Sequence, residues 1–228
     1  MCGSGGRKRC EERGGRARGL RETDRPQLED CVRFWRMANY GMIADARLHR
    51  FTIDEYHGMA ESGLLSPDTR VELLDGKIVD MFPIGPFHSG TVSRLNRLFE
   101  GAHRDRWITS VQNPVRLNSH YEPLPDLALL VPREDFYTEK TAVAKEVLLL
   151  IEVAETSILV DREDKMPAYA QAKIPEAWIV NVLDKKVEVF RKPKAGVYAV
   201  QFEVYPGETL SPERFPDVTI DLQALFRV

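Results

Sequence analysis

Leu124-Pro125-Asp126-Leu127, then Val147-Leu148-Leu149-Leu150-Ile151-Glu152-Val153, then Asp161-Arg162-Glu163-Asp164-Lys165 follow one another along the chain. After them come Tyr169-Ala170 and Ile174-Pro175-Glu176-Ala177-Trp178-Ile179-Val180. The run 147–153 is apolar almost throughout, as expected for a central strand covered on both faces. Residues 127–131 form a second short apolar strand, closed by Pro132. Asp126 opens the one strand and Glu152 ends the apolar run of the other. A helix is predicted over 161–173. Pro167 must then lie in its first turn, because an interior proline removes a helix hydrogen bond. Residues 178–181 read as the next strand.

Upstream, Thr52 followed by Glu55 is a capping box for a helix that runs to about Glu61 and stops at Gly63. Asp75-Gly76 lies between 70–74 and 77–81. That dipeptide accepts positive φ and marks a hairpin. From His88 to Asp105, Val92, Leu95, Leu98 and Phe99 recur at helical spacing and predict one buried stripe. Short strands are predicted at 107–111 and 115–117. Downstream, turns at Asp184-Lys185 and Gly196 separate strands over 187–190 and 197–204, and residues 218–226 give a strand and a helical turn. Strands, helices and hairpins are interleaved, so the fold class is α/β (α+β) with a mixed sheet.

The 228 residues suit one soluble domain with a tail, and no apolar run reaches the ~20 residues that span a bilayer. Residues 1–40 hold ten Lys/Arg against six Asp/Glu, so with the whole chain at -3 the remainder sits at -7. That balance disfavours strong non-specific binding to a phosphate backbone. Cys2, Cys10 and Cys31 all lie in the tail. The rest of the chain has no disulfide framework, which fits a reducing cytoplasm. Residues 1–41 are Gly- and Arg-rich and cannot build a core. They read as a basic arm or as an extension ahead of a true start at Met37 or Met42, and the second is favoured. The domain proper is taken as 42–228.

Phosphodiester hydrolysis needs charge stabilisation at the phosphoryl group and an activated water, which Mg²⁺ can supply. Mg²⁺ prefers carboxylates and waters, and Asp126 and Glu152 are suitable ligands. Acids at the ends of buried strands need a partner, since a bare buried carboxylate is costly. Lys165 would add a cation beside them. Each also has a plain reading: Asp126 as a turn cap, Glu152 and Lys165 as a structural ion pair.

The stretches quoted above resemble the putative restriction endonuclease-like family of the PD-(D/E)XK nuclease superfamily. Arg70-Val71-Glu72-Leu73-Leu74-Asp75-Gly76 and the helix opening at His88 resemble its N-terminal half. The resemblance covers roughly 51–205. It implies a restriction-endonuclease-like core, a mixed sheet flanked by helices with added hairpins. It also implies a site with metal ligands Asp126 and Glu152, the active-site lysine Lys165, and Glu72 as a further acid or else an exposed strand residue. Mg²⁺, with Mn²⁺ as substitute, a DNA substrate and a homodimer are implied with it. Two departures stand out. The superfamily lysine stands two residues after the glutamate, where this chain has Ala154, so Lys165 must reach in from the helix. Lys173 stands where relatives often have glycine.

His88 reads as a phosphate or metal contact, or more often as a helix cap or core residue. Tyr169 reads as core packing that could orient Lys165. Lys185, Lys186, Arg191, Lys192 and Lys194 form a basic hairpin face that is solvated by default. The function expected is a Mg²⁺-dependent DNA endonuclease. The alternatives are a catalytically silent nucleic-acid or protein-binding module on the same fold, and an interaction protein whose acids form only an ion-pair network.

Overall fold

A computed structural model describes residues 48–66, 68–102 and 105–227, and the expectations for residues 1–41 lie outside them. Residues 49–228 cluster as one unit. Its first element is helix α1 (Ile53–Glu61), opened by the Thr52–Glu55 capping box and followed by Gly63 at φ 75°. Strands β1 (Val71–Leu74) and β2 (Lys77–Asp80) pair antiparallel across Asp75 and Gly76, both at positive φ as the sequence predicts. Helix α2 (Pro86–Ala102) buries Val92, Leu95 and Phe99. Leu98 is 38% exposed, which corrects the predicted stripe. The sheet contacts take the narrower arc through Leu95 and Phe99.

Strands β3 (Ile108–Val111), β4 (Val115–Arg116), β5 (Leu127–Leu130), β6 (Ala142–Val143) and β7 (Val147–Ala154) follow. All of β7 is buried. After the crossover described next come β8 (Glu176–Asn181), β9 (Lys186–Lys194), β10 (Val197–Val204), β11 (Thr209–Leu210) and β12 (Ile220–Asp221). The main sheet has six strands in the order β10-β9-β8-β7-β5-β3. Only β7 and β8 in it are parallel, so the sheet is mixed, as predicted. From Leu149 on, β7 alternates strictly. Leu149, Ile151 and Val153 join the core under α2, while Leu150 and Ala154 face Met166, Tyr169 and Ile174 on the other side. Glu152 therefore faces the crossover. Among the described residues no helix is long and apolar enough to cross a membrane.

The crossover from β7 to β8 departs from the predicted single helix. A turn of α3 (Ile158–Val160) leads into a π-helical turn at Asp161–Lys165, and then into α4 (Met166–Gln171). The Met166 N–H donates to the Asp161 carbonyl, five residues back. Pro167 does sit in a first turn, that of α4, directly behind the widened one. A proline in a regular helix lacks a donor and clashes with the carbonyl four residues earlier, and the wider turn relieves both. Such turns recur at functional sites, and this one carries Lys165.

Helix α4 ends with Lys173 at φ 62°, while the Ile174 N–H reaches back to the Tyr169 carbonyl and the Lys173 N–H to that of Ala170. This is the left-handed cap that glycine fills best. Lys173→Gly should raise stability by roughly 0.5–1 kcal/mol, the left-handed cost less glycine's extra chain entropy. Urea denaturation measures it; a loss of stability would contradict this account of the cap.

Candidate active site

The β5–β7 register sets Leu127 opposite Ile151. One step further along, Asp126 lies across from Glu152, and cross-strand neighbours share a face. The Asp126 carboxylate is held from three sides. Oδ2 accepts the Val153 N–H at 2.9 Å and meets His88 Nε2 at 3.0 Å, and Oδ1 accepts from Gln112 Nε2 at 3.1 Å. Glu152 Oε1 accepts the Tyr169 hydroxyl at 2.5 Å. The hairpin brings in Glu72, whose Oε2 accepts the Leu124 N–H at 3.1 Å.

Lys165 binds these parts together. Its Nζ lies 3.2 Å from Glu72 Oε2, 3.4 Å from Glu152 Oε2 and 4.0 Å from Asp161 Oδ1. All four side chains are buried. Ala154 is on the same face as Glu152, two residues on, and its small side chain packs in the core beside Met166 and Tyr169. Lys165 instead enters from the π turn above the strand. Asp126, Glu152, Lys165, Glu72, His88 and Asp161 all line one cavity of about 70 Å³. That volume suits a hydrated ion or phosphate oxygens and is far below the roughly 300 Å³ of a drug-sized site.

The electrostatics are unbalanced. Burial disfavours the Lys165 charge, yet Glu152, Glu72, Asp161 and Asp126 together hold its ammonium firmly protonated. Glu152 is pushed well above the usual carboxylate range, first by burial and then, against the pull of Lys165, by Asp161, Asp126 and Glu72. Asp161 is pushed up to about 6, again mainly by burial. Asp126 stays below its ordinary value despite burial, because His88, the Val153 N–H and Gln112 favour its charged form. Burial pulls His88 down, but its bond and charge contact with Asp126 carry it above its ordinary value. Its Nδ1 is buried without a hydrogen-bond partner. The acids outnumber Lys165 and His88, and this surplus of negative charge adds to the effect of burial on Glu152 and Asp161.

The donor chemistry fits a hard divalent cation. A carboxylate offers about four lone pairs; the contacts above leave about one on Asp126 and two on Glu152. Among the described residues no three His, Cys, Asp or Glu side chains are gathered as a metal cluster. A Mg²⁺ ion held by two carboxylates would complete its shell with waters and substrate oxygens, its usual habit.

The structure thus brings Asp126, Glu152, Lys165 and Glu72 together. Glu72 is 5% exposed, which overturns its reading as an exposed strand residue. His88 sits on Asp126 and is neither a simple cap nor core. Tyr169 is fully buried and grips Glu152 rather than Lys165. Gln112 and Asp161 were missed: Gln112 follows β3 at positive φ, and Asp161 sits four residues before Lys165 on the turn whose widening the sequence does not announce. The basic hairpin is not one face. Arg191 reaches buried Glu176, and Lys186 pairs with Glu203 and Glu188.

A family model described as "Putative restriction endonuclease" (Uma2) matches residues 53–223. No curated protein matches the chain. The fold is similar to the crystal structure of a putative nuclease belonging to DUF820 from Anabaena variabilis ATCC 29413. That match has a TM-score of 0.61 at 14% identity and covers 77% of this chain and 97% of the other.

The raised acids fix a sign for pH dependence. A carboxyl that binds its proton more tightly when folded stabilises the protein fully below its unfolded value, and that stability is lost as pH rises through the folded one. For Asp161 the window runs from about 3.8 to about 6. In EDTA, Asp161→Asn should flatten the fall in stability over that window. It should also gain on the order of 1–3 kcal/mol at neutral pH. Chemical denaturation at stepped pH measures both, and a wild-type slope in the variant would contradict the raised Asp161.

Proposed function

The chain belongs to the Uma2 family of putative restriction endonucleases, and from that membership we propose that it is a Mg²⁺-dependent endonuclease that hydrolyses DNA phosphodiester bonds. Asp126 and Glu152 hold the ion, Lys165 acts beside it, and Glu72 completes the acid wall. The observation that carries this reading is the Lys165 ammonium, buried between Glu72 and Glu152 beside Asp126 in one small cavity. Mn²⁺ can stand in for Mg²⁺, since both accept oxygen ligands.

A bound Mg²⁺ would lower the pKa of a coordinated water and polarise the phosphoryl oxygens. The chain's own groups do the rest. Lys165 is held protonated, so it serves as a fixed positive charge rather than as a base. It faces the charge that develops on the phosphoryl group, where a preorganised cation in a dry site contributes most. Tyr169 fixes one oxygen of Glu152 and leaves the other to the cavity. His88 and Gln112 orient Asp126. Cutting both strands of a duplex takes two such sites, which a homodimer would provide. The place of action in this reading is the cytoplasm.

A second reading has its own support. The main domain is acidic, Ala154 replaces the usual lysine, and no three-ligand cluster is preformed among the described residues. On that reading the chain is a catalytically silent module that binds nucleic acid or protein.

Lys165→Met separates the two. On the nuclease reading wild type nicks supercoiled plasmid with Mg²⁺ or Mn²⁺. The variant still binds the ion but nicks roughly 10²-fold more slowly or worse. Without metal the variant also melts lower, because a buried carboxylate loses its partner. Equal nicking by a folded variant would remove Lys165 from the mechanism, and a wild type with no metal-dependent nicking would leave the silent module.

A further inference from the structure

The segment between β2 and α2, residues 81–85, forms one lip of the acid cavity and leads into Phe87 in the first turn of α2. Met81, Phe82, Pro83 and Ile84 line the cavity wall. Phe82 is 49% exposed, Ile84 39%, and Phe87, one residue before His88, 57%. Large apolar side chains on a protein surface are ordinary when scattered. These three fall within six residues, beside the one cavity that gathers the buried acids and Lys165. The lip is also held in place. Pro83 and Pro86 restrict the backbone. Gly85 lies so close to the Glu155 carboxylate that a Cβ there would come within 2.4 Å of Oε2. Glu155 directly follows β7, so the lip is braced against the end of the strand that carries Glu152.

The charge around this lip argues for one kind of ligand contact. The chain beyond residue 40 carries -7, and Asp80, Glu155 and Asp161 line the same cavity. Neutralising many phosphates, the usual source of duplex affinity, is not open to such a surface. Arg70 and Lys165, on the cavity wall, suit one or two phosphates. Stacking on an aromatic face needs no positive field and contributes about 1–3 kcal/mol per base. In a duplex the faces of the bases are covered by their neighbours. Only an unpaired segment can offer them.

Resting on the nuclease reading above, we infer that Phe82, Ile84 and Phe87 form a stacking platform for unpaired bases. The substrate at this cavity is then a single-stranded or locally unpaired stretch of nucleic acid, its phosphate at the acids and its bases on the lip. One site per chain suffices to cut such a strand.

The test uses the full chain in Ca²⁺, with fluorescein-labelled DNA of about 20 nucleotides, longer than one site's span. Anisotropy compares the single strand, its duplex and an RNA of the same sequence. The single strand should bind at least tenfold tighter than the duplex. Phe82→Ala with Phe87→Ala should lose tenfold or more on the single strand with an unchanged melting temperature, since both rings are exposed. Phe82→Trp should keep the affinity. RNA bound as well as DNA would also support the inference and would show that the sugar is not read. Duplex bound as tightly as single strand, or a double variant with wild-type affinity, or no binding to either, would overturn it. A parallel Mg²⁺ cleavage assay keeps the two readings apart. Duplex cut equally by wild type and the double variant sinks the platform and leaves the nuclease. Lip-dependent binding of the single strand without any cleavage sinks the nuclease and leaves the platform.

Discussion

The fold closes over a buried ammonium. Lys165 can be nearly inaccessible only because Glu72, Glu152 and Asp161 surround it. Those acids can be buried only because the lysine is there. An unpaired charge in such a place costs several kcal/mol, so the elements that deliver each partner constrain one another. β7 delivers Glu152, the hairpin delivers Glu72, and the widened turn before Pro167 delivers Lys165 and Asp161. Removing the lysine leaves the acids exposed to the full cost of burial. Pairing here is also incomplete, because the acids exceed the cations. A structural ion-pair network would be expected to balance. Burial raises Glu152 and Asp161 first and the surplus of acids adds to it; perturbed groups gathered in this way mark a candidate functional site.

The carboxylates differ in how they are held, and the difference divides their tasks. Asp126 is kept ionised by His88, Gln112 and the Val153 N–H. Glu152 is raised by burial and by its acidic neighbours, and Tyr169 fixes one of its oxygens. The two acids lie opposite each other on antiparallel strands, one favouring its charged form and the other its protonated form. The sheet makes this possible through its register. A shift of one residue in β5 against β7 would carry Asp126 to the other face of the sheet, under α2.

Much of this was legible in the chain because the signals are local. The Thr52–Glu55 box and the Asp75-Gly76 turn are fixed by a few adjacent residues. The apolar run of β7 admits no other place in the sheet than its centre. Asp126 and Glu152 are singled out by their positions at the ends of apolar runs, and Lys165 as the cation at the start of the helix that follows. What the sequence hid depends on distant partners. Pro167 signals that the helix cannot be regular there, but whether it starts late or widens is decided by how the turn packs. Leu98 matches the helical stripe, yet the sheet contacts pass it by. Glu72 reads equally as a further acid or as an exposed strand residue until the crossover places a lysine against it. Gln112 and Tyr169 matter only through carboxylates that lie 14 and 17 residues away.

The central claim is that the surplus of buried acid is a cation site. Crystals of the full chain soaked in Mn²⁺ and measured at the manganese absorption edge test it most directly. The account predicts an anomalous peak between the Asp126 and Glu152 carboxylates, about 2.1 Å from an oxygen of each, with the Lys165 ammonium still beside Glu152. A map with no peak in that cavity at saturating Mn²⁺, or with manganese held elsewhere and both carboxylates unmoved, would contradict it.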